Sequence, residues 1–257
     1  MSEVERIDDL VVLGRAAPEP IRDGRHTVCL GGYSETKGYV RLYPTQMRMT
    51  QCQRWNVISV PVDGSSRDDT RDESYKIAGS REEWDHLHEK IEVVGRLDKP
   101  ERINLVQDLA TDCTEALNEE RRSLGMVGPR DISRVYLDET DDPTTQYDLM
   151  MEPRKGKNDY PHELRIEYRC SDCHAKTGHD QHCIDWEIYQ YWENHDDDEG
   201  VIDALLFNRD DAHHYFFVGN LNHERRAYII ISVIRFLEED MLDAGVTVGE
   251  QTELSAW

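Results

Sequence analysis

Short apolar runs, separated by polar and glycine- or proline-containing segments, set the first expectations for this chain. Leu10-Val11-Val12-Leu13 and Thr27-Val28-Cys29-Leu30 are brief β-branched runs of the kind that fill a buried strand, and Gly31-Gly32 closes the second. Lys37 to Tyr43 alternates, so that Val40 and Leu42 point one way while Tyr39, Arg41 and Tyr43 point the other, before Pro44 interrupts the ladder. With Trp55 to Val62 this makes four short strands in the first 62 residues.

The period then changes. Ser80-Arg81-Glu82-Glu83 has the form of a capping box and precedes Trp84, Leu87, Ile91 and Val94 at helical spacing, which predicts a helix over 81–94. A second helix is expected over 105–124, with Leu109, Cys113 and Leu117 on one stripe. Strands return at Ser133 to Asp138 and Leu164 to Cys170, and a polar loop lies between them. Ile184, Ile188 and Tyr191 share a helical face, and Val201 to Phe207 is a further helical stretch. His214 to Gly219 and Ala227 to Phe236 are the two strongest strands and form an expected hairpin. The pattern predicts a mixed α+β fold of two small β-barrel-like modules with intervening helices: a first module over 1–78, a helical segment over 79–126, a second β-rich module over 127–240 and a tail over 241–257. The competing architecture is one α+β domain in which both strand groups share a sheet.

Charge alters this picture in one respect. The chain of 257 residues carries 53 Asp and Glu against 30 Lys and Arg, a net charge of −23. Self-repulsion of that size is screened only at high ionic strength, and 5 Trp and 12 Tyr supply the apolar material that a disordered acidic chain lacks. The composition therefore points to a folded, halophilic, cytoplasmic protein. Its thermal unfolding midpoint is expected to rise with potassium chloride concentration, and a midpoint that stays flat or falls would contradict this. The acidic start lacks a secretory pattern, and the longest apolar runs are too short to cross a bilayer. Six cysteines, Cys29, Cys52 and Cys113 dispersed and Cys170, Cys173 and Cys183 in a close set, fit a reducing compartment rather than a disulfide framework.

The excess charge is uneven: residues 1–62 are net +1 and the remainder −24. A local positive field would suit an anionic ligand, and a largely buried first barrel would give the same numbers. Tyr39, Arg41 and Tyr43 are the best candidates for binding single-stranded nucleic acid, because alternate residues of one strand can stack bases and reach phosphate together. Arg71 lies in a segment that can close the same surface, as an anion contact or as an internal ion pair.

The strongest chemical signal is Cys170-x2-Cys173-x5-His179-x3-Cys183, four ligands suited to tetrahedral zinc within 14 residues. His174 and His182 are alternative nitrogens. With Cys183 as a ligand the site is closed and structural. Without it, a reactive water could bind beside Asp185 or Glu187 as acid or base, giving a metal-dependent enzyme acting on a phosphorylated or nucleic-acid substrate. A nucleic-acid-binding or regulatory module with structural zinc is the leading reading, and a protein-interaction or purely structural role is the third. Neither the Tyr39–Tyr43 strand nor the segment carrying Arg71 resembles a Walker box or a serine nucleophile elbow.

Gly38 to Pro44, Arg71-x-Glu73-Ser74-Tyr75, Cys170-x2-Cys173, Gly178-His179, Asp185-Trp186-Glu187 and Phe217-Val218-Gly219 together resemble an uncharacterised family of archaeal and bacterial proteins. The resemblance spans most of residues 10–236. It implies paired barrels like those of oligonucleotide-binding (OB) folds and draws attention to Arg41, Cys170, Cys173, His179, Asp185 and Glu187.

Overall fold

A computed structural model describes residues 4–20, 26–45, 50–63, 69, 71–139, 146–147, 153–154, 160–171, 173, 175, 177–222 and 224–247. The described residues are mostly β, with few helices, and the chain divides into two compact units. The first comprises 1–97 with 144–159, and the second 98–143 with 160–257.

The first unit holds β1 (Glu5–Arg15), β2 (Glu19–Pro20), β3 (His26–Ser34), β4 (Gly38–Thr45), β5 (Asn56–Asp63), β6 (Ser74–Ile77) and β7 (Glu92–Arg96). The long strand β1 is shared by two neighbours. Its first half pairs with β5, Glu5 opposite Val62, and its second half with β3, Val11 opposite Tyr33. β3 and β4 are antiparallel, β4 and β6 parallel, and β6 returns antiparallel to β5, so five strands close into a barrel. Leu10, Val12, Leu30, Val40, Leu42, Ile58 and Val60 fill its centre.

The helix expected over 81–94 is a 3-10 helix over Arg81–Lys90, and the chain then enters β7, paired with β5. The capping signal at Ser80 is real, since its backbone N–H donates to Glu83 Oε2 at 2.8 Å. Beyond it, Val93-Val94-Gly95 favours the pleated backbone over a further helical turn. The side chain of Trp84 lies outside the described residues.

The second unit begins with α1 (Lys99–Leu109), β8 (Ala110–Thr111), α2 (Thr114–Glu119), β9 (Leu124–Val127) and β10 (Pro129–Glu139). The short ribbon of β11 (Gln146–Tyr147) and β12 (Pro153–Arg154) belongs to the first unit. Next come β13 (His162–Cys170), β14 (His179–Cys183), α3 (Trp186–Asn194), α4 (Gly200–Ala204), β15 (Ala212–Asn220), β16 (Tyr228–Leu237) and α5 (Glu238–Asp243). Two shorter helices replace the one expected over 105–124. α1 starts earlier, at a reciprocal cap in which Asp98 accepts from Glu101 N–H at 3.0 Å and Glu101 accepts from Asp98 N–H at 2.7 Å. It ends where Ala110 and Thr111 pair in parallel with Met126 and Val127. The tail expected over 241–257 begins inside α5, whereas residues 248–257 lie outside the described set.

The second sheet runs β10-β13-β14-β16-β15-β9-β8. β9 passes into β10 across Gly128 alone, so one bent strand pairs with β15 through its first part and with β13 through its second. The β15–β16 hairpin matches the sequence reading, with Asn220 opposite Tyr228. β13 and β14 are antiparallel, β14 and β16 parallel, and β15 and β16 antiparallel. Both units therefore repeat one connectivity. The two strand groups occupy separate sheets, which sets aside the single shared sheet.

Candidate metal centre

Four potential ligand atoms, from Cys113, Cys170, Cys173 and His179, lie within 4.8 Å of one another. Regular structure brings three segments to this point. β13 carries Cys170 to the end of its ladder, and the connecting turn supplies Cys173. Gly178 then adopts φ +76 and donates its N–H to Ala175 O at 3.1 Å, which starts β14 with His179 opposite Tyr168. A Cβ at Gly178 would stand 2.7 Å from the carbonyl oxygen of Tyr168, so the turn requires glycine both for its φ and for its close approach to β13. Cys113 arrives from the other side: β8 is anchored on β9, Thr111 Oγ1 donates to Met126 O at 3.0 Å, and the next turn delivers the thiol.

His179 Nε2 lies 3.2 Å from Cys173 Sγ and 3.4 Å from Cys113 Sγ. Ligands on a tetrahedral zinc ion are separated by about 3.5 Å for a sulfur–nitrogen pair and about 3.8 Å for two sulfurs, given Zn–S near 2.3 Å and Zn–N near 2.0 Å. Small side-chain adjustments therefore suffice to seat such an ion. Burial pushes the Cys113 and Cys170 thiols above their ordinary range, and for Cys170 the neighbouring Cys113 adds to the shift. Three thiolates could not share this volume without a cation between them. Burial also depresses His179, which keeps the imidazole neutral with a lone pair to give. Backbone N–H groups of Thr114 and Glu115 bond to Cys170 and Cys113 respectively, and such bonds favour the thiolate forms. The donor set, three sulfurs and one imidazole nitrogen, suits zinc chemistry.

The structure thus gathers three of the four ligands expected from sequence. Cys183 is not among them: it lies at the far end of β14, four residues from His179 or about 13 Å along an extended strand, opposite Leu164 and Ile230. Cys113 stands in its place. His182 projects to the other side of β14, with Nδ1 3.6 Å from Glu163 Oε2, and His174 lies outside the described residues.

Asp185 is buried as the N-cap of α3. Its carboxylate accepts from Glu187 N–H, Ser232 Oγ and Val233 N–H, each at 3.0 Å. Glu187 is exposed on the first turn of α3.

In the first unit, Tyr39 is buried edge-on against Tyr33, with ring centroids 5.5 Å apart. Arg41 is 5% exposed; its backbone N–H donates to Glu73 O at 2.7 Å and its Nη1 to Ser74 Oγ at 3.4 Å. Burial and the nearby Arg71 guanidinium lower Arg41 to about 10, which leaves it charged at neutral pH. Arg71 forks onto Asp69, with Nε to Oδ1 at 2.9 Å and Nη2 to Oδ2 at 2.7 Å. Although burial opposes ionisation, these bonds and one from Ser74 hold Asp69 down to about 2. Arg71 therefore takes the internal ion-pair role, while Arg41 joins β4 to the start of β6. Tyr43 is half-buried, with Lys76 Nζ 5.8 Å from its ring centre.

One family model, a domain of unknown function (DUF8758), matches residues 6–108. A second, also a domain of unknown function (DUF8757), matches residues 106–241, more than half of the chain. No curated protein matches. Among solved structures, a crystal structure of the tetrameric p202 HIN2 is similar over 92% of this chain and 95% of its own, at 5% identity and a TM-score of 0.31.

Proposed function

Since the chain belongs to the DUF8757 family of domains of unknown function, its role has to be read from its geometry, and we propose a metal-stapled nucleic-acid-binding module built from two OB-like barrels. The observation that carries this reading is the connectivity. In each unit a long first strand is shared by the second and fourth strands, and the third and fifth lie in parallel. This is the strand order of the OB fold, a five-stranded Greek-key barrel whose second and third strands and flanking loops take oligonucleotides and oligosaccharides. α3 and α4 fall between the third and fourth strands of the second unit, where that fold places its helix.

The resident ion is zinc, held by Cys113, Cys170, Cys173 and His179. Four protein ligands fill a tetrahedral shell and leave no position for a reactive water, which supports a structural role over a hydrolytic one. Asp185, the acid or base of the enzyme reading, is engaged in capping α3 and holding β16. Among the described residues no helix is long and apolar enough to cross a membrane, and the acidic composition suits a salt-rich cytoplasm.

Connectivity alone does not determine a ligand, and a −23 chain repels a polyanion. Binding must therefore depend on base stacking rather than on phosphate contacts, which concentrated salt weakens. Purified protein is expected to bind a labelled single-stranded oligothymidylate in molar potassium chloride, with a shallow salt dependence measured by fluorescence anisotropy. Absence of binding at every salt concentration would overturn the reading.

A further inference from the structure

We infer that the stacking surface for single-stranded nucleic acid is the outer face of β10, β13 and β14 in the second unit, centred on the Arg134–Tyr136 stack. This inference rests on the OB-like reading and assigns its ligand to a particular face. Leu164, Ile166 and Tyr168 of β13 turn into the core, so Arg165, Glu167 and Arg169 face outward. β13 and β14 are the second and third strands of this barrel, and β10 belongs to its bent first strand.

On that face the Arg134 guanidinium carbon lies 4.1 Å from the centre of the Tyr136 ring. The Arg134 side chain is 62% exposed, so the outer plane of its guanidinium is open to a base while its inner plane rests on the ring. A guanidinium plane and an aromatic ring are the two platforms on which unpaired bases stack. The ring is held in place beneath. Arg165 Nε donates to Tyr136 Oη at 3.2 Å, and Arg165 is itself clamped by Asp180, with Nη2 3.0 Å from Oδ2. A ring held at its hydroxyl loses little freedom when a base arrives.

Charge narrows the occupant. Arg134, Arg165 and Arg169 share this face in a chain of net charge −23, and Arg169 is exposed beside the turn that carries the metal ligands. Glu167 and Asp180 are interleaved with them. Those carboxylates would repel the regular phosphate rows of a duplex, whereas a single strand can turn its bases inward and leave its phosphates in the salt solution. The surface therefore suits unpaired bases.

The test is fluorescence anisotropy in molar potassium chloride with labelled oligothymidylate and with a labelled duplex, using the full chain. Tyr136→Ala and Arg134→Ala should each weaken single-strand binding by roughly tenfold or more, the loss expected for one stacked base. Tyr136→Phe keeps the stacking ring and loses only the bonds that hold it, so it should weaken binding less than Tyr136→Ala, and the charge-matched control Arg209→Ala, on the exposed Arg209–Asp211 pair, should behave as wild type. Arg134→Ala removes only an exposed side chain, so its result does not depend on refolding of the sheet. If the wild type binds and both alanine variants match it, this face is wrong while the OB-like reading stands. Preferential binding of the duplex would also overturn the inference. A wild type that binds no oligonucleotide overturns both.

Discussion

Replacing Cys113 by alanine is expected to strip the metal from the protein, whereas Cys183→Ala should leave it fully loaded. Outer partners of metal ligands typically change affinity by about 10–100-fold, and loss of a thiolate ligand should exceed that. An ion held there would join the turn before α2 to the β13–β14 hairpin, and its binding energy would contribute to folding of the second unit. Cys113→Ala should therefore become sensitive to proteolysis within residues 98–143 or 160–247 under conditions where Cys183→Ala resists. Metal content measured on both variants, purified in parallel under reducing conditions without chelator, decides the matter. Retention of metal by Cys113→Ala together with its loss from Cys183→Ala would restore the sequence-local ligand set.

The second large effect is expected at Asp185. Its carboxylate satisfies two backbone N–H groups and the Ser232 hydroxyl, and Asp185→Ala would leave Val233 N–H and Ser232 buried without this acceptor. Hydrogen bonds to a charged acceptor contribute about 1.5–3 kcal/mol each, not additively, so a loss of about 3–4 kcal/mol is expected in urea unfolding at fixed high salt. Asn keeps one acceptor oxygen and should cost less. Zinc content should not change in either variant. A loss under about 1 kcal/mol would mean that Asp185 is not the capping and cross-linking group described above.

The parts of this fold that could be read from sequence were those set by nearest neighbours. The β15–β16 hairpin announced itself because β-branched and aromatic residues fill both runs, and its interior tolerates little else: Ala212 to Asn220 is buried throughout. Cys170, Cys173 and His179 could be found because one turn presents all three. Cys113 could not be found in this way, since 57 residues separate it from Cys170 and it falls at a spacing that continues the stripe of Leu109 and Leu117. Only the pairing of Ala110 and Thr111 with β9 breaks that helix, and such a pairing is settled in three dimensions. The signal for α1 was present and local, in Asp98-Lys99-Pro100-Glu101, a cap followed by a proline in the first turn. Alternation along β4 correctly placed Tyr39, Arg41 and Tyr43 together, but it could not reveal that Asp69, Arg71, Glu73 and Ser74 would lie against Arg41 and bury it. Nor could strand periodicity show that the two stretches around Gly128 take different partners, because the first pairs with a strand nearly 90 residues away.

The ligand set itself is the central claim, and X-ray absorption at the zinc K-edge of the purified protein tests it most directly. Three sulfurs at about 2.3 Å and one nitrogen at about 2.0 Å are predicted, with no oxygen from water in the first shell. A protein that holds no zinc, or a zinc ion with two sulfurs and coordinated water, would contradict the closed site formed by Cys113, Cys170, Cys173 and His179.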